Sequence, residues 1–504
     1  MKIVNSFQMS EIDRISIEKY GIPAMILMEN AGKEACDVFL HQSGAEKPAK
    51  IVIFAGPGHN GGDGLVIARQ AHLKGYNNIS IIYPKYPEKG LCSTHAEICR
   101  NLGIPYTIWE NSPSAMQKQI ENADFIIDSL SGTGIKGELR SPVKEMVTSI
   151  NKSNAVTFAV DVPSGLGDEF LPHYSVVDAD YTITMGLPKN CLYTPSGRVY
   201  CGKVSIVSPG FPTELTSDET INGEFVTPKE LPALIPHFED SDYKNTRGRV
   251  GIFAGSPGTS GAGILTATAC ARSLAGLVTL FAHSDVYTAC ASQAKSIMVQ
   301  PWHPETSNID EVPFEQFSTL AVGPGWGTQQ DRLPWLRHFF ERDIPGVLDA
   351  DGITLLSQLS VDPPDLRGQW ILTPHPGEFM RLSNVDRKTL FSKPFESIYP
   401  VARKYNAIII LKTHVIWIVT PDGQYSVADG MNAALGTGGS GDVLTGILAG
   451  FLSSGMEPYQ AARAGVLFHQ ELGTSVKKKK GWFIAEDLAD AASWHLGMLE
   501  NYHA

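Results

Sequence analysis

The sequence lacks the features of a membrane protein, a secreted protein and a nucleic-acid-binding protein. No apolar run reaches about 18 residues, the length that a membrane-spanning helix needs. The N-terminal segment MKIVNSFQMSEIDR lacks the charged-then-apolar pattern of a signal peptide. The net charge of −12 disfavours a nucleic-acid surface, and the one basic block, the four lysines at 477–480, is predicted to be a solvated loop. We therefore expect a cytoplasmic protein that binds neither membranes nor nucleic acids.

Cysteine pairs at metal-binding or disulfide-forming spacing are also absent. The seven cysteines are an odd number and contain no C-x-x-C pair. The sequence therefore indicates neither a disulfide framework nor a zinc site. We expect the cysteines to fill the core.

The chain does have the length and composition of a multidomain α/β enzyme. It has 504 residues, of which 43% are hydrophobic, with 48 glycines and 32 prolines, and this predicts two or three domains. Two alternations of strand and helix patterns flank a polar, proline-broken stretch at 211–231. We predict an α/β fold with two domains, at residues 1–218 and 225–504, the first a Rossmann-like three-layer sandwich.

A glycine-rich loop, GTGGSGD at 436–442, leads into an apolar run that is typical of a buried helix. Backbone N–H groups of such a loop can converge on a phosphate, and the helix dipole adds partial positive charge at that end. Asp442 closes the loop, and we expect the helix end to keep its carboxylate ionised and able to accept a proton. The alternative is that Asp442 only caps the helix.

Three loops in the first half place polar residues after predicted strands. Asn60 follows the strand at 51–55, Asp128 ends a second strand, and Asp161 and Ser164 follow a third. Carboxyl ends of parallel strands lie at one edge of a sheet, so these residues are predicted to converge on a ligand. Any one of these acids alone would more readily be a turn or cap residue.

The loop GPGHNGGDG at 56–64 formally contains G-x-G-x-x-G. The next predicted strand, however, ends in Pro84 and Lys85 rather than in an acidic residue that could bind a ribose. The loop is therefore not predicted to be the dinucleotide fingerprint of an NAD dehydrogenase.

Nine ordered motifs resemble one family. In the first half MENAG, GPGHNGGDG, DSLSGTG, DVPSG and GLPKN are similar to the epimerase domain of NAD(P)H-hydrate repair enzymes. In the second half GPGWG, LDADG, TPHPGE and GTGGSGDVLTG are similar to the dehydratase domain of the same enzymes, which has a ribokinase-like fold. The resemblance covers nearly the whole chain.

For the first half, the resemblance implies a potassium ion and a substrate site. The implied K⁺ ligands are Asn60, Asp128 and Ser164, and Asp161 matches the substrate-contacting acid. His59 stands where asparagine is commoner and can still donate a hydrogen bond. The residues implied around the substrate phosphates are His59, Asn60, Gly61, Gly62, Asp63, Gly132, Thr133, Gly134, Ile135, Lys136, Gly137 and Glu138.

For the second half, the resemblance implies a hydrate site, an adenine-nucleotide site and Mg²⁺ on the nucleotide phosphates. Lys-Thr-His replaces the usual lysine-glycine, and a proline and methionine are missing before the glycine loop. Glu378 is a candidate for organising the metal through water. The hydrate positions are Ala262, Gly325, His375 and Asp442, and the nucleotide positions are Lys412, Thr413, His414, Val415, Ile416 and Gly441.

The activity implied is repair of NADHX and NADPHX, the hydrated forms of NADH and NADPH. The first half would interconvert their R and S epimers, and the second would dehydrate the S epimer with ADP or ATP, releasing phosphate, with AMP when ADP is used. A homo-oligomer is expected. The preferred nucleotide, the preferred hydrate and the order of the oligomer stay open, and so do two alternatives: a ribokinase-like small-molecule kinase fused to a nucleotide-binding domain, and a non-enzymatic scaffold.

Overall fold

The computed structural model describes residues 1–109, 113–359 and 361–500, and it divides into two compact units. The first is Met1–Gly223 with Phe391–Lys393, and the second is Glu224–Leu390 with Pro394–Ala504. Both units mix helices with largely parallel sheets, so the predicted α/β class is confirmed. The predicted domain limits, 1–218 and 225–504, stay a prediction.

The first unit has a sheet of seven strands in its described part, in the order β3-β2-β1-β4-β5-β6-β7, and all neighbours are parallel. The strands are β1 Ile51–Ala55, β2 Ile79–Tyr83, β3 Tyr106–Ile108, β4 Phe125–Ser129, β5 Val156–Val160, β6 Tyr181–Met185 and β7 Lys203–Val207. The helices are α1 Ser6–Glu18, α2 Ala24–Ser43, α3 His59–Leu73, α4 Gly90–Asn101, α5 Pro113–Glu121, α6 Val143–Asn151 and α7 Thr213–Thr216.

Strand β1 shows why this unit has three layers. All five of its residues are buried and apolar, because helices cover both faces of a parallel sheet. Ile51 and Ile53 belong to a core with residues of α2, α3 and α4. Val52 and Phe54 belong to a second core with residues of α5 and α6.

The second unit has a sheet of ten strands in its described part, in the order β11-β10-β9-β12-β13-β14-β15-β16-β17-β8. The pairs from β11 to β15 are parallel, and β15-β16-β17 are antiparallel. The strands are β8 Gly223–Val226, β9 Arg249–Phe253, β10 Leu277–His283, β11 Met298–Trp302, β12 Thr319–Val322, β13 Gly346–Leu348, β14 Trp370–Leu372, β15 Ile408–Leu411, β16 Val415–Val419 and β17 Tyr425–Asp429.

The helices of the second unit include α16, whose N-terminus lies at the glycine-rich loop. In the described part of the chain the α-helices after β8 are α8 Leu231–Leu234, α9 Ser260–Ala271, α10 Tyr287–Gln293, α11 Leu333–Glu341, α12 Ala350–Gln358, α13 Pro376–Ser383, α14 Arg387–Ser392, α15 Pro394–Tyr405, α16 Ser440–Ser453, α17 Pro458–Lys480 and α18 Ala485–Glu500; the last two residues of α14 belong to the first unit. In the described part of the chain, no helix is both long and apolar enough to cross a membrane. The seven cysteines are buried, as predicted.

Two local expectations are wrong. The loop at 56–64 is in part the first turn of α3, which begins at His59; a side chain at Gly61 would lie 1.8 Å from the carbonyl oxygen of Gly56, so only glycine fits. The four lysines at 477–480 form the exposed last turn of α17 rather than a loop. Positive charge there complements the negative end of the helix dipole.

The end of the first unit is marked by Ile221. This side chain is buried with Val4, Ile12 and Leu187, and the carbonyl of Gly223 accepts a hydrogen bond from the backbone N–H of Ile3. Glu224, by contrast, forms an ion pair with Arg463 of α17 at 2.9 Å. The continuous part of the first unit therefore ends at Gly223, and Glu224 belongs to the second.

We expect separate chains ending at Gly223 and beginning at Glu224 each to unfold cooperatively. A first fragment that ends at 218 loses Ile221 and is expected to be less stable by about 2 kcal/mol, because full burial of such a side chain contributes roughly 1.5–3 kcal/mol. Urea unfolding of the fragments measures the difference, and Ile221→Ala in the longer fragment is the matched variant. Equal stability of the 1–218 and 1–223 fragments would contradict the boundary.

Candidate functional site

A cavity of about 910 Å³ lies in the first unit, at the carboxyl ends of its central strands. Most residues predicted for the substrate site line it: His59, Asn60, Gly61, Asp63, Gly132, Thr133, Gly134, Ile135, Lys136, Glu138 and Asp161. Gly62 and Gly137 do not. Gly62 instead packs against Met28, whose sulfur would lie 2.6 Å from a side chain at position 62.

Asp161 is held in the cavity by a buried lysine. Lys189, 1% exposed, follows β6, and its Nζ donates to Asp161 Oδ1 at 2.5 Å, to Thr184 Oγ1 at 2.9 Å and to the carbonyl of Met185 at 2.6 Å. Asp161 has φ of 67°, a left-handed conformation that is rare outside glycine and is often found at functional sites. The pair provides a fixed acceptor and a fixed cation at one point of the wall.

Lys189 was missing from the predicted site residues. The sequence did contain a signal for it, since Lys189 lies in the GLPKN motif just after a predicted strand. Its partner could not be inferred from spacing, because the ion pair joins the ends of two neighbouring strands.

Asp128 and Ser164, two of the implied K⁺ ligands, are fully buried rather than part of the cavity lining. The carboxylate of Asp128 accepts hydrogen bonds from Ser164 N at 2.7 Å and Ser164 Oγ at 2.6 Å. Burial raises the pKa of Asp128 to about 6, and the hydrogen bonds from Ser164 oppose that rise. Asn60 donates to the carbonyl of Ser131 at 2.9 Å, while its buried Oδ1 has no hydrogen-bond partner among the described residues.

Asp63 lines the same cavity, and its pKa is unusual for an aspartate in a phosphate-binding loop. Burial, followed by the nearby charge of Asp161, raises the pKa of Asp63 well above its usual range, and Asp13 adds to the rise. A neutral carboxyl can donate a hydrogen bond, whereas an ionised one would repel a phosphate. Its predicted contact with substrate phosphates stays a prediction.

In the second unit, the glycine loop leads into α16 as predicted. Gly439 precedes the helix in a left-handed conformation, with φ of 87°, and Ser440 Oγ donates to the carbonyl of Leu435 at 2.7 Å. Asp442 lies in the first turn and does not accept a capping hydrogen bond. The alternative that Asp442 only caps the helix therefore has no support in this geometry.

Asp442 is less acidic than expected from the helix end alone. Burial and then the charge of Asp349 raise the pKa of Asp442 to about 6, while Lys412 opposes the rise. Desolvation and a second carboxylate thus oppose the effect of the helix end, and the role of Asp442 as a proton acceptor stays a prediction. A pKa near 6 still leaves most of the carboxylate ionised at neutral pH.

Asp349, in the LDADG motif, connects Lys412 of the predicted nucleotide site to Thr445 of α16. Its Oδ1 accepts from Lys412 Nζ at 2.6 Å and its Oδ2 accepts from Thr445 Oγ1 at 2.8 Å. Gly441 lies beside the same lysine, since a side chain there would come within 3.3 Å of Lys412 Nζ. Asp349 was not among the predicted site residues, although the LDADG motif contains it.

His375 and Glu378 form the N-terminal cap of α13. His375 N donates to Glu378 Oε2 at 2.8 Å, and His375 Nε2 lies 3.1 Å from Glu378 Oε1. Burial raises the pKa of Glu378 and lowers that of His375. Both oxygens of Glu378 are therefore engaged by His375.

The remaining predicted residues lie in loops, in the first turn of α9 or in β16. Ala262 and Gly325 are joined through Thr259, whose carbonyl accepts from Ala262 N at 3.2 Å and whose hydroxyl donates to the Gly325 carbonyl at 2.9 Å. Thr413 and His414 lie in the turn between β15 and β16, and Val415 and Ile416 are buried in β16. A role for Val415 or Ile416 in nucleotide binding would thus involve the backbone.

In comparisons with known proteins, two different families match the two halves of the chain. A family described as NAD(P)H-hydrate dehydratase matches residues 250–493, and one described as YjeF-related protein N-terminus matches 24–191. Bifunctional NAD(P)H-hydrate repair enzymes are similar over the whole length: that of Moorella thermoacetica is 32% identical over 99% of this chain and 97% of its own. That of Coxiella burnetii is 30% identical over 98% of each chain.

Among solved structures, the ADP/ATP-dependent NAD(P)H-hydrate dehydratase of Bacillus subtilis, co-crystallised with ATP and Mg²⁺, has a TM-score of 0.50 and 25% identity. The match covers 55% of this chain and 99% of that one. The fold and sites define a two-unit α/β enzyme with a ribokinase-like second half. The chain belongs to the family of bifunctional NAD(P)H-hydrate repair enzymes, and the resemblance inferred from the motifs is confirmed.

Proposed function

We propose that this protein repairs hydrated NADH and NADPH in two steps. The first unit interconverts the R and S epimers of NADHX and NADPHX, and the second dehydrates the S epimer to NAD(P)H with ADP, or ATP, as phosphoryl donor. The observation that carries the proposal is that one chain holds both sites, Asp161 with Lys189 in the first unit and Asp442 behind the glycine loop in the second. We infer that the enzyme acts in the cytoplasm as a homo-oligomer.

Epimerisation follows from the chemistry of the hydrate. Its hydroxyl is on the carbon next to the ring nitrogen, whose lone pair can expel the hydroxyl as water once a proton is supplied. Water then returns to either face. Lys189 keeps Asp161 fixed beside the reacting carbon, and the carboxyl group can give the proton to the leaving hydroxyl or take one from the incoming water.

The fit of K⁺ is supported by one unpaired oxygen atom and one uncompensated carboxylate in the described part of the first unit. Asn60 Oδ1 is buried without a hydrogen-bond partner among the described residues, and the buried Asp128 carboxylate has no cation beside it there. Oxygen atoms of Asn60, Asp128 and Ser164 would hold the ion. The ion would supply a positive charge that compensates Asp128 and links the loops after β1, β4 and β5.

Asp161→Asn is expected to stop epimerisation and to spare dehydration. The variant removes the group that transfers the proton, so the rate of interconversion should fall by about 100-fold or more. Chiral chromatography with ADP present should show that the S epimer disappears while the R epimer persists beyond its protein-free turnover. Asp178→Asn, which removes an exposed carboxylate of the same unit, should leave both rates unchanged; disappearance of both epimers at the wild-type rate in Asp161→Asn would contradict the role.

Dehydration in the second unit becomes irreversible when the hydroxyl is phosphorylated, because phosphate leaves far more readily than hydroxide. Asp442 would take the hydroxyl proton as the oxygen attacks the terminal phosphorus of the nucleotide. N–H groups at the start of α16 would stabilise the charge on the transferring group. The ring nitrogen then expels phosphate, and loss of a ring proton restores the dihydropyridine.

Two of the carboxylates near Asp442, those of Glu378 and Asp349, already contact other groups through both of their oxygens. Both oxygens of Glu378 are engaged by His375, and both oxygens of Asp349 are engaged by Lys412 and Thr445. In the described residues, no group of three or more His, Cys, Asp or Glu side chains is arranged to hold a metal. No step of the dehydration is therefore assigned to a protein-bound metal, and Mg²⁺ would enter as the nucleotide complex.

The dehydratase is expected to lose activity as pH falls through about 6. Asp442 must be ionised to act as a base, and burial with the charge of Asp349 raises its pKa to about 6. The kcat/KM should therefore rise through that pH and level off above it. Asp349→Asn removes the second cause of the raised pKa of Asp442. The acidic limb of the kcat/KM profile should therefore move to lower pH.

Asp351→Asn is the matched control, because Asp351 raises the pKa of Asp442 less than Asp349 does. Its limb should move in the same direction by a smaller amount. Asp442→Asn should lower kcat by about 100-fold or more. A limb at the same pH in the wild type and in Asp349→Asn would contradict the assignment of Asp442 as the base.

A further inference from the structure

The wall of the epimerase cavity contains a further carboxyl group, that of Asp13, which has no role in the epimerisation described above. Helix α1 contributes Met9, Ser10 and Asp13 to the lining. Asp13 is partly buried and forms no hydrogen bond or ion pair with the residues that the structure describes, although His59, which also lines the cavity, lies close enough to interact with its charge. A partly buried carboxyl without a hydrogen-bond partner among the described residues, facing a large cavity, is available to a ligand.

Asp13 and Asp161 enter the cavity from different elements. Asp161 follows β5 and is fixed to the end of β6 through Lys189, whereas Asp13 lies on α1, outside the sheet. Both influence the same buried carboxyl, since each raises the pKa of Asp63. The two carboxyl groups therefore lie near one region of the cavity but come from different parts of its wall.

Helix α1 is fixed to the loop that carries Lys189. The N–H of Val4 donates to the carbonyl of Pro188 at 3.0 Å, and the N–H of Asn190 donates to the carbonyl of Val4 at 2.8 Å. The N–H of Ser6, the first residue of α1, donates to Asp168 Oδ2 at 2.9 Å. These bonds fix the start of α1, and with it Asp13, relative to Lys189.

The cavity that contains both carboxyl groups is suited to a flat ring. Met9, Leu27, Met28, Met185 and Phe211 all line the cavity together with Asp13 and Asp161. Such side chains pack on the faces of a ring and exclude water from it. The reacting carbon of a hydrate bound there could be reached by carboxyl groups from different parts of the wall.

Inversion at that carbon is assisted most directly by a proton-transfer group on each face. On one face an acid gives a proton to the hydroxyl, the carbon–oxygen bond breaks, water leaves, and the nitrogen lone pair forms a carbon–nitrogen double bond. On the other face a base takes a proton from an incoming water, a new carbon–oxygen bond forms, and the electron pair returns to nitrogen. No oxidant or reductant is consumed.

We propose that Asp13 is a catalytic residue of the epimerase and transfers protons on the face of the nicotinamide ring opposite to Asp161. This proposal rests on the epimerase function proposed above. In one direction Asp13 gives the proton and Asp161 takes one, and in the other direction the roles reverse. Each turnover leaves the two carboxyl groups in exchanged protonation states, and solvent restores them.

The test is an isotope experiment on the full chain without ADP, so that no dehydration occurs. Each purified epimer of NADHX is incubated in heavy-oxygen water, and chiral chromatography with mass spectrometry follows inversion and label uptake separately. Asp13→Asn should lower inversion by about 100-fold or more in both directions. The epimer whose hydroxyl faces Asp161 should still take up label with retention of configuration, and Asp161→Asn should show the complementary pattern.

Glu11→Gln, on the same helix but ion-paired with Arg14 at the surface, is the matched control and should behave as the wild type. Thermal unfolding checks that each variant is folded, and Asp13→Ser, tested in the same way, must give the same exchange pattern. Inversion within threefold of the wild type in Asp13→Asn would overturn the proposal, as would equal loss of label uptake by both epimers. A wild-type chain that inverts neither epimer would overturn the epimerase function itself.

Discussion

Two lysine–aspartate pairs, each with one fully buried partner, fix the groups on which the proposed chemistry depends. Lys189 binds Asp161 at 2.5 Å in the first unit, and Lys412 binds Asp349 at 2.6 Å in the second. Removing the partner of the buried Lys189 or Asp349 would destabilise the fold, because the buried charge would stay uncompensated. Each pair therefore joins loops from different strands in one arrangement.

The pairs act differently on the reacting groups. In the first unit the lysine binds the proposed proton-transfer group itself, so Asp161 is held by direct contact in a left-handed backbone conformation. In the second unit the lysine binds Asp349, whose charge raises the pKa of Asp442 while Lys412 opposes the rise. The first pair thus fixes the position of Asp161, and the second pair influences the pKa of Asp442.

Much of this arrangement could be predicted from local sequence. Strand β1 and the glycine loop before α16 were predicted because apolar runs and glycine clusters are local signals. Strands β3, β8 and β11 were missed, since they are short or, as with Pro301 in β11, contain residues that disfavour strands. The contacts of Lys189 and Asp349 and the exposure of Asp13 to the cavity depend on tertiary packing, which residue spacing does not reveal.

The most direct measurement follows both epimers and the phosphate in one reaction of the full chain with a mixture of NADHX epimers, with and without ADP. Without ADP, the account predicts that the epimers reach a constant ratio and no NADH forms. With ADP, both epimers should be converted to NADH, with one AMP and one free phosphate for each molecule repaired. Phosphate retained on an organic product, or an R epimer that persists after the S epimer is consumed, would contradict the account.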